Sequence, residues 1–198
     1  MDEKLSKCEI RKLLRQRLAG MSDEQRKRKS FAACHLLADA PEFEAARVLM
    51  LYLSTATEVD TSALALRAWQ QGKSVVVPKM SWDKRHMLPV EISSLQAGLT
   101  SGRMGIREPV EGKPIPVDLI DLVIVPGLGF TAGGHRIGRG MGFYDRFLAQ
   151  SNFMGLSCGL CFAEQIVDEL PVLDHDIPLS MLVSDQLIRR FASNLIGT

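Results

Sequence analysis

The sequence predicts an α/β fold, a single three-layer domain in which a mainly parallel β-sheet is flanked by helices. Short apolar runs alternate along the 198 residues with segments of helical periodicity, and this alternation is typical of parallel sheets covered on both faces. The apolar run at 119–125 is followed by a glycine-rich stretch and then by a helical pattern. At this length, residues 1–198 are expected to form one domain with a sizeable core.

Two helices are expected before the first strand. The first covers residues 4–19, where an apolar stripe repeats at helical spacing and basic residues follow another face. The second begins at Ser22, because Gln25 three residues later completes a capping-box pattern. It is expected to end before Pro41, which cannot lie inside a helix without breaking it.

Strands and helices alternate after this point, and glycine and proline mark most of the boundaries. The predicted elements are a buried strand at 47–53, a helix at 61–71 closed by Gly72, a strand at 74–77 stopped by Pro78, an alternating edge strand at 87–92, loops with one short helix at 93–118, the central strand at 119–125, a helix at 143–149, strands at 155–161 and 181–184, and a further short strand at 186–191.

Composition argues against several classes of protein. The formal net charge is +1 and the basic run at 26–29 lacks interleaved aromatic residues, so nucleic acid is not expected as a partner. The longest apolar runs are too short to span a bilayer, and the first four residues lack an apolar signal core. With four cysteines and nine methionines, the chain is expected to be a cytoplasmic protein without a membrane partner.

The segment 126–146, PGLGFTAGGHRIGRGMGFYDR, carries the strongest functional signal and holds seven of the sixteen glycines. A buried strand precedes it and a helix is expected to begin near its end. Such a loop exposes many backbone N–H groups, and a helix start adds a positive dipole end. Arg136 and Arg139 add forked, permanently charged donors that match phosphate oxygens. This combination predicts a phosphate-binding loop.

Other interpretations of the polar motifs are weaker. The segment lacks the Walker pattern, and a dinucleotide fingerprint fits poorly because Gly133 and Gly134 stand where a helix should begin. Cys158 and Cys161 lie inside a predicted strand without two further zinc ligands nearby, which favours core cysteines. His135 is expected to donate to phosphate or to face solvent.

Residues 134–146 resemble the signature of the 5-formyltetrahydrofolate cyclo-ligases, also called methenyltetrahydrofolate synthetases, which carry Gly-x-Arg-Leu-Gly-x-Gly-x-Gly-Tyr-Tyr-Asp after a buried strand. Three further segments are similar to family elements in the same order. Residues 7–11 resemble Lys-x-x-Leu-Arg, residues 58–61 resemble Glu-x-x-Thr, and residues 105–109 resemble Gly-Ile-x-Glu-Pro. The resemblance spans roughly residues 4–185.

The chain departs from the family pattern at three positions. Thr131 stands where the family usually has Asp, Phe143 replaces the first Tyr of Tyr-Tyr-Asp, and Ser180 occupies a position that is often Asp. The first and third departures concern local polar networks. The change at Phe143 removes a hydroxyl that could bind a ligand.

The resemblance implies an ATP-dependent ring closure. In the family, 5-formyltetrahydrofolate and MgATP become 5,10-methenyltetrahydrofolate, ADP and phosphate. Transfer of the γ-phosphoryl group to the formyl oxygen makes an imidate phosphate, after which nitrogen 10 attacks and phosphate leaves. Such a reaction asks the protein for alignment and charge neutralisation rather than for a nucleophile.

The resemblance also implies roles for individual residues. Arg136, Arg139 and Asp145 would be catalytic, and Asp145 and Asp176 would bind Mg²⁺, although Asp176 fits a simple turn acid equally well. Glu58, Arg139, Gly140, Met141, Gly142 and Phe143 would contact the folate. ATP would lie against Lys7, Arg11, Arg136, Ile137, Gly138, Arg139, Gly140, Met141, Gly142, Phe143 and Tyr144.

Two other functions stay open at this stage. The loop could serve another α/β enzyme with a phosphorylated or CoA-bearing substrate, or a non-enzymatic module that binds folate or a nucleotide. The matches at Lys7, Arg11 and Glu58 favour the cyclo-ligase. We expect a monomer or a weak homodimer with 5-formyltetrahydrofolate as its small-molecule partner.

Overall fold

A seven-stranded β-sheet with helices on both faces forms the centre of the computed structural model, which describes residues 5–191. The expectations for residues 1–4, including the start of the first helix and the absence of a signal core, therefore lie outside the described residues. The helices are α1 (Lys7–Ala19), α2 (Asp23–Ala38), α3 (Pro41–Ala45), α4 (Ser62–Gln70) and α5 (Phe143–Leu148).

The strands range from two to eight residues in length. They are β1 (Val48–Met50), β2 (Ser74–Ser81), β3 (His86–Ile92), β4 (Leu99–Ser101), β5 (Arg107–Pro109), β6 (Leu122–Val125), β7 (Gly129–Thr131), β8 (Arg136–Ile137), β9 (Leu156–Leu160), β10 (Ile166–Val167), β11 (Met181–Val183) and β12 (Ile188–Arg190).

The strand order is β12-β11-β9-β6-β1-β2-β3, which confirms the predicted α/β fold with a mainly parallel sheet. The pairs from β11 to β2 are all parallel, whereas β12 and β3 pair antiparallel at the two edges. The chain extends from β1 to one side and from β6 to the other. The boundary between β1 and β6 is therefore a topological switch point, where ligands of open α/β sheets bind.

Alternate residues of the central strands supply two halves of the core. Leu122 and Ile124 pack into the half that includes residues of α1, α2 and α4. Val123 and Val125 pack into the other half with Phe143 and residues of α5. Because successive side chains of a strand point to opposite faces, a fully buried strand must be apolar throughout. This accounts for the continuous apolar run that predicted β6.

The end predicted for the strand at 74–77 is wrong, because β2 continues through Pro78 to Ser81. The pairing of β1 with β2 reaches only Val76, so beyond this residue β2 has no neighbour on that side. On its other side Pro78 lies opposite Pro89 of β3. A proline on the unpaired side of a strand removes no ladder hydrogen bond, so the chain stays extended through the buried Pro78.

Other predicted boundaries also differ from the structure, and the short helix α3 was not predicted. β1 ends at Met50 rather than at residue 53, and β6 begins only at Leu122, since residues 117–119 form a 3-10 turn. The segment 93–118 contains the antiparallel pair β4–β5 in addition to two 3-10 turns. These strands have three residues each, too few for a periodic signal in the sequence.

The capping box predicted for α2 is present. The Gln25 N–H donates to Ser22 Oγ at 3.1 Å, and the Ser22 N–H donates back to Gln25 Oε1 at 2.9 Å. Cys158 and Cys161 are buried in the core as predicted, and burial raises the pKa of both thiols. In the part of the chain that the structure describes, no helix combines the length and the apolarity needed to cross a bilayer.

Candidate active site

A cleft of about 360 Å³ opens at the carboxyl ends of β1 and β6, beside the switch point of the sheet. Segments far apart in the sequence contribute to its walls, including α1, the loop after β1, the end of β2 and the glycine-rich segment. Every residue to which the family resemblance assigns a role lines this one cleft. These residues are Lys7, Arg11, Glu58, Arg136, Ile137, Gly138, Arg139, Gly140, Met141, Gly142, Phe143, Tyr144, Asp145 and Asp176.

The glycine-rich segment is a hairpin followed by a turn rather than a continuous loop. Strands β7 and β8 pair antiparallel, and β10 pairs with the other side of β7. After Ile137 the chain turns through Gly140 (φ +106°) and Gly142 (φ +64°) into α5. Both values lie in a region that side chains disfavour, so these two glycines permit the turn. No side chain caps the first N–H groups of α5.

Arg136 and Asp145 form an ion pair inside this segment. Arg136 Nη2 lies 2.7 Å from Asp145 Oδ1, and Nη1 donates to the Ile177 carbonyl at 2.8 Å. The Arg136 side chain is only 4% exposed. Burial lowers its pKa, while the Asp145 charge acts in the opposite direction. A guanidinium held on two sides in this way positions α5 against β8 and presents little free surface.

Arg139 and Glu58 form a second ion pair across the cleft. Arg139 Nη2 lies 3.1 Å from Glu58 Oε1 and donates to Thr55 Oγ1 at 2.9 Å. Glu58 Oε2 accepts from the Thr55 N–H and hydroxyl, each at 2.9 Å. The Arg139 side chain is 34% exposed, so solvent and ligands reach it far more easily than they reach Arg136.

Helix α1 supplies two cations to the opposite wall. Lys7 Nζ lies 2.6 Å from Asp176 Oδ2, which also accepts from the Leu173 N–H at 2.8 Å. Burial opposes ionisation of Asp176, but these hydrogen bonds outweigh it and lower its pKa. Arg11 Nε donates to the Gly138 carbonyl at 2.9 Å. The register predicted for α1 therefore places both cations in the wall of the cleft, Arg11 beside the glycine-rich turn and Lys7 beside Asp176.

The three carboxylates of the cleft are thus each paired with a cation of the cleft, Glu58 with Arg139, Asp145 with Arg136, and Asp176 with Lys7. No group of three or more His, Cys, Asp or Glu within residues 5–191 could hold a metal ion alone. Asp145 and Asp176 are hard oxygen donors that both act on Arg136 electrostatically. Such a pair suits Mg²⁺ only when phosphate oxygens and water complete the shell.

An apolar wall completes the cleft, and sequence reasoning missed it. Trp82 packs edge-on against Phe143, with ring centroids 5.3 Å apart and planes at 85°. Pro78 and Met80 lie beside them on β2. Met80 and Trp82 lie at the carboxyl end of a strand that pairs in parallel with β1, and this position was the signal that could have identified them. The prediction missed them because it ended the strand at Pro78.

The residues that depart from the family pattern make local contacts of their own. Thr131 Oγ1 accepts from the Gly133 N–H at 3.3 Å and from the His135 N–H at 3.2 Å, as a carboxylate would. Ser180 Oγ accepts from the Ser157 N–H at 3.1 Å. Phe143 retains the ring of the usual tyrosine and packs on Trp82.

Two histidines near the glycine-rich segment and Asp176 differ in position. His175 lines the cleft and is largely exposed. His135 lies in the turn between β7 and β8, outside the residues that line the cleft, and its Nδ1 has no hydrogen-bond partner in the described structure.

Comparison with known proteins agrees with this geometry. The model of the 5-formyltetrahydrofolate cyclo-ligase family matches residues 3–185. The chain belongs to this family. The cyclo-ligase family resemblance of residues 134–146 is thereby confirmed, and it extends over most of the chain.

Individual members of the cyclo-ligase family show the same relationship. The mouse 5-formyltetrahydrofolate cyclo-ligase is 30% identical over 178 residues, covering 85% of this chain and 88% of the mouse protein. The Escherichia coli K12 cyclo-ligase is 30% identical over 175 residues, covering 87% of this chain and 96% of the E. coli protein. The NMR structure of the Aquifex aeolicus 5,10-methenyltetrahydrofolate synthetase superimposes with a TM-score of 0.82 at 32% identity, covering 98% of this chain and 97% of that one.

Proposed function

We propose that the protein is an ATP-dependent 5-formyltetrahydrofolate cyclo-ligase, which forms 5,10-methenyltetrahydrofolate and releases ADP and phosphate. The observation that carries the proposal is the cleft itself. One cavity brings together the glycine-rich turn, cations suited to a triphosphate, and Glu58 with an apolar wall suited to a flat heterocycle. The family membership names the reaction, and the cleft holds the groups that this reaction needs.

The chemical problem is the low reactivity of the formyl amide, whose carbonyl is stabilised by donation from nitrogen. Phosphorylation of the formyl oxygen converts it into a leaving group, so nitrogen 10 can close the ring and expel phosphate. Phosphoryl transfer depends mainly on alignment and on neutralisation of charge. In our proposal Arg139, Lys7, Arg11 and the N–H groups of residues 138–142 bind and orient the triphosphate.

Arg136 and Arg139 are assigned different parts in this scheme. Arg136 is buried and bonded to Asp145 and the Ile177 carbonyl, so it fixes the loop and adds positive charge from behind. Arg139 reaches into the cleft, where it would follow the charge on the transferring phosphoryl group. Both remain catalytic residues in the proposal, but only Arg139 has the freedom to move towards a ligand.

Glu58 and the apolar wall are assigned to the folate. The Glu58 carboxylate would accept hydrogen bonds from the pterin ring, and Trp82 with Phe143 would support its flat face. This arrangement would place the formyl oxygen between Glu58 and the arginine side of the cleft. Met141 and the turn glycines would line the space between the two substrates.

Asp145 and Asp176 would hold Mg²⁺ together with phosphate oxygens. When bound, the ion supplies positive charge that neutralises the phosphates and fixes their geometry. Both carboxylates are paired with cations in the ligand-free protein. Arrival of MgATP would therefore exchange one set of ion pairs for another, with phosphate oxygens replacing the Asp176 carboxylate as the partner of Lys7.

The direct test mixes the purified protein with 5-formyltetrahydrofolate and MgATP and follows the near-ultraviolet absorbance of the methenyl product. We expect product only when ATP is present, and a large loss in Asp145→Ala. Asp118→Ala is the matched control, because Asp118 is an exposed acid that does not line the cleft. Binding of both ligands without product would instead indicate a non-enzymatic module. ATP hydrolysis that does not depend on 5-formyltetrahydrofolate would indicate an enzyme with a different substrate.

Cytoplasmic location and a monomeric or weakly dimeric state stay predictions. The buried thiols of Cys34, Cys158 and Cys161 are free, which suits a reducing compartment. Light scattering at several protein concentrations measures the oligomeric state. A molecular mass larger than that of a dimer at every concentration would contradict the prediction.

A further inference from the structure

The chain has two tyrosines, and both line the cleft. The Tyr52 hydroxyl donates to the Val59 carbonyl at 2.9 Å, so its hydrogen-bonding capacity is used within the protein. The Tyr144 hydroxyl is equally buried, but it has no hydrogen-bond partner among the described residues. The two side chains thus form a natural pair for comparison, one satisfied and one unsatisfied.

A buried hydroxyl without a partner is unusual. Removal from water costs free energy that a hydrogen bond normally offsets, so most buried polar groups are paired. Tyr144 belongs to the six-residue helix α5, where a phenylalanine would pack without this cost. An orphan hydroxyl at a cleft therefore points to a partner that is present only when ligands are bound.

The surroundings of Tyr144 indicate which ligand atom this is. In the sequence the residue stands between Phe143 of the apolar wall and Asp145, the partner of Arg136, and it lines the same cleft as both. The Glu58 carboxylate and the Arg136 guanidinium both lie near enough to act on its hydroxyl electrostatically. The hydroxyl thus lies near both the acid assigned to the folate and the cation assigned to phosphate, and a phenolic O–H is a hydrogen-bond donor.

We infer that the Tyr144 hydroxyl is a catalytic hydrogen-bond donor to an oxygen of the phosphoryl group as it passes between ATP and the folate. The inference rests on the proposed function, and it assigns the side-chain hydroxyl rather than the backbone of this residue. Charge spreads over the equatorial oxygens during phosphoryl transfer. A neutral donor fixed in a dry site stabilises that charge without reorganisation. The proton stays on Tyr144, so no bond to it is broken.

The test is Tyr144→Phe, measured for both stability and turnover. In the ligand-free protein we expect the melting temperature to stay the same or rise, because only an unsatisfied hydroxyl is removed. We expect kcat to fall roughly 100- to 1000-fold, the range for loss of one preorganised donor. Dissociation constants of 5-formyltetrahydrofolate and of a non-hydrolysable ATP analogue, measured by calorimetry, should change less than about twofold, since the donor acts in the transition state.

Tyr52→Phe is the matched control for the structural alternative. It removes the satisfied hydroxyl of the same cleft, so its melting temperature is expected to fall. If Tyr144→Phe also lowers the melting temperature while wild-type kcat is retained, the hydroxyl is structural and the assignment is overturned. A wild-type protein that makes no methenyl product would overturn the proposed function itself, whereas an active wild type with an equally active Tyr144→Phe would overturn only the assignment of this hydroxyl.

Discussion

Lys7 Nζ lies 2.6 Å from Asp176 Oδ2, so one ion pair joins helix α1 to a loop 169 residues further along the chain. Both side chains are largely buried, with 21% and 16% exposed. This contact lies in the wall of the cleft and joins a residue near the start of the described chain to a loop 15 residues before its end. It also makes the stability of the protein depend on pH in a defined way.

The pKa of Asp176 is lowered in the folded protein, because hydrogen bonds from Lys7 and Leu173 outweigh the effect of burial. A lowered pKa means that the stabilisation is present above the unfolded value, 3.8, and is lost as pH falls through the folded value. We expect Asp176→Asn to lower the free energy of unfolding by about 1–2 kcal/mol at pH 7. The difference from wild type should shrink as the pH falls below about 4.

Chemical denaturation at several pH values measures this effect. Asp174→Asn is the matched control, since Asp174 is an exposed acid two residues away. A difference between wild type and Asp176→Asn that stays constant from pH 7 to pH 3 would contradict the ion-pair explanation.

Arg139→Ala is expected to reduce turnover far more than it reduces stability. The side chain is one-third exposed and its pair with Glu58 crosses an open cleft, and such partly exposed pairs contribute about 0.2–1 kcal/mol. Loss of a cation that follows phosphoryl charge should lower kcat/KM by roughly 100-fold or more. Arg189→Ala on the exposed edge strand β12 serves as the control. Parallel losses of stability and activity in Arg139→Ala would argue against the phosphate role.

Arg136→Ala should behave in the opposite way, with a large loss of stability. Its guanidinium is buried and donates to Asp145 and to the Ile177 carbonyl. Removal of one partner from a buried ion pair typically costs about 3–5 kcal/mol. Arg136→Lys should recover little of this loss, because a single ammonium cannot reproduce the forked geometry. Urea unfolding of both variants beside Arg139→Ala tests the distinction, and an unfolding free energy like that of wild type would refute it.

The parts of the site that could be predicted from the sequence are those whose residues are consecutive along the chain. The order of β6, the glycine-rich segment and α5 follows from apolar patterning and glycine content, and the family signature adds the roles of its residues. The hairpin β7–β8 inside that segment was not predicted, because strands of three and two residues carry no measurable periodicity.

Contacts between distant segments were beyond sequence reasoning. Nothing in the residues near Lys7 identifies Asp176 as its partner, since the contact depends on how α1 packs against the sheet. Trp82 was missed because the rule that proline ends a strand was applied to Pro78, although the pairing with β1 has already ended there. Pairing of the neighbouring strand decides such cases, and it is a property of the tertiary structure.

The carboxylates of the cleft predict that the nucleotide binds as its magnesium complex. Glu58, Asp145 and Asp176 all line the cavity, and free ATP would place its own negative charges beside them. Coulomb repulsion between neighbouring negative charges is strong in a partly buried site, whereas Mg²⁺ accepts oxygen ligands from the protein and from the phosphates.

We expect a non-hydrolysable ATP analogue to bind about tenfold or more tightly with Mg²⁺ than with EDTA. Asp145→Asn should reduce that ratio, because it removes a charge that the ion would neutralise while keeping an oxygen for Arg136. Calorimetric titrations of wild type, Asp145→Asn and the exposed control Asp118→Asn measure the ratio without any turnover. An unchanged ratio in Asp145→Asn would remove Asp145 from the magnesium site, whereas a reduced ratio in the Asp118 control as well would point to a general charge effect.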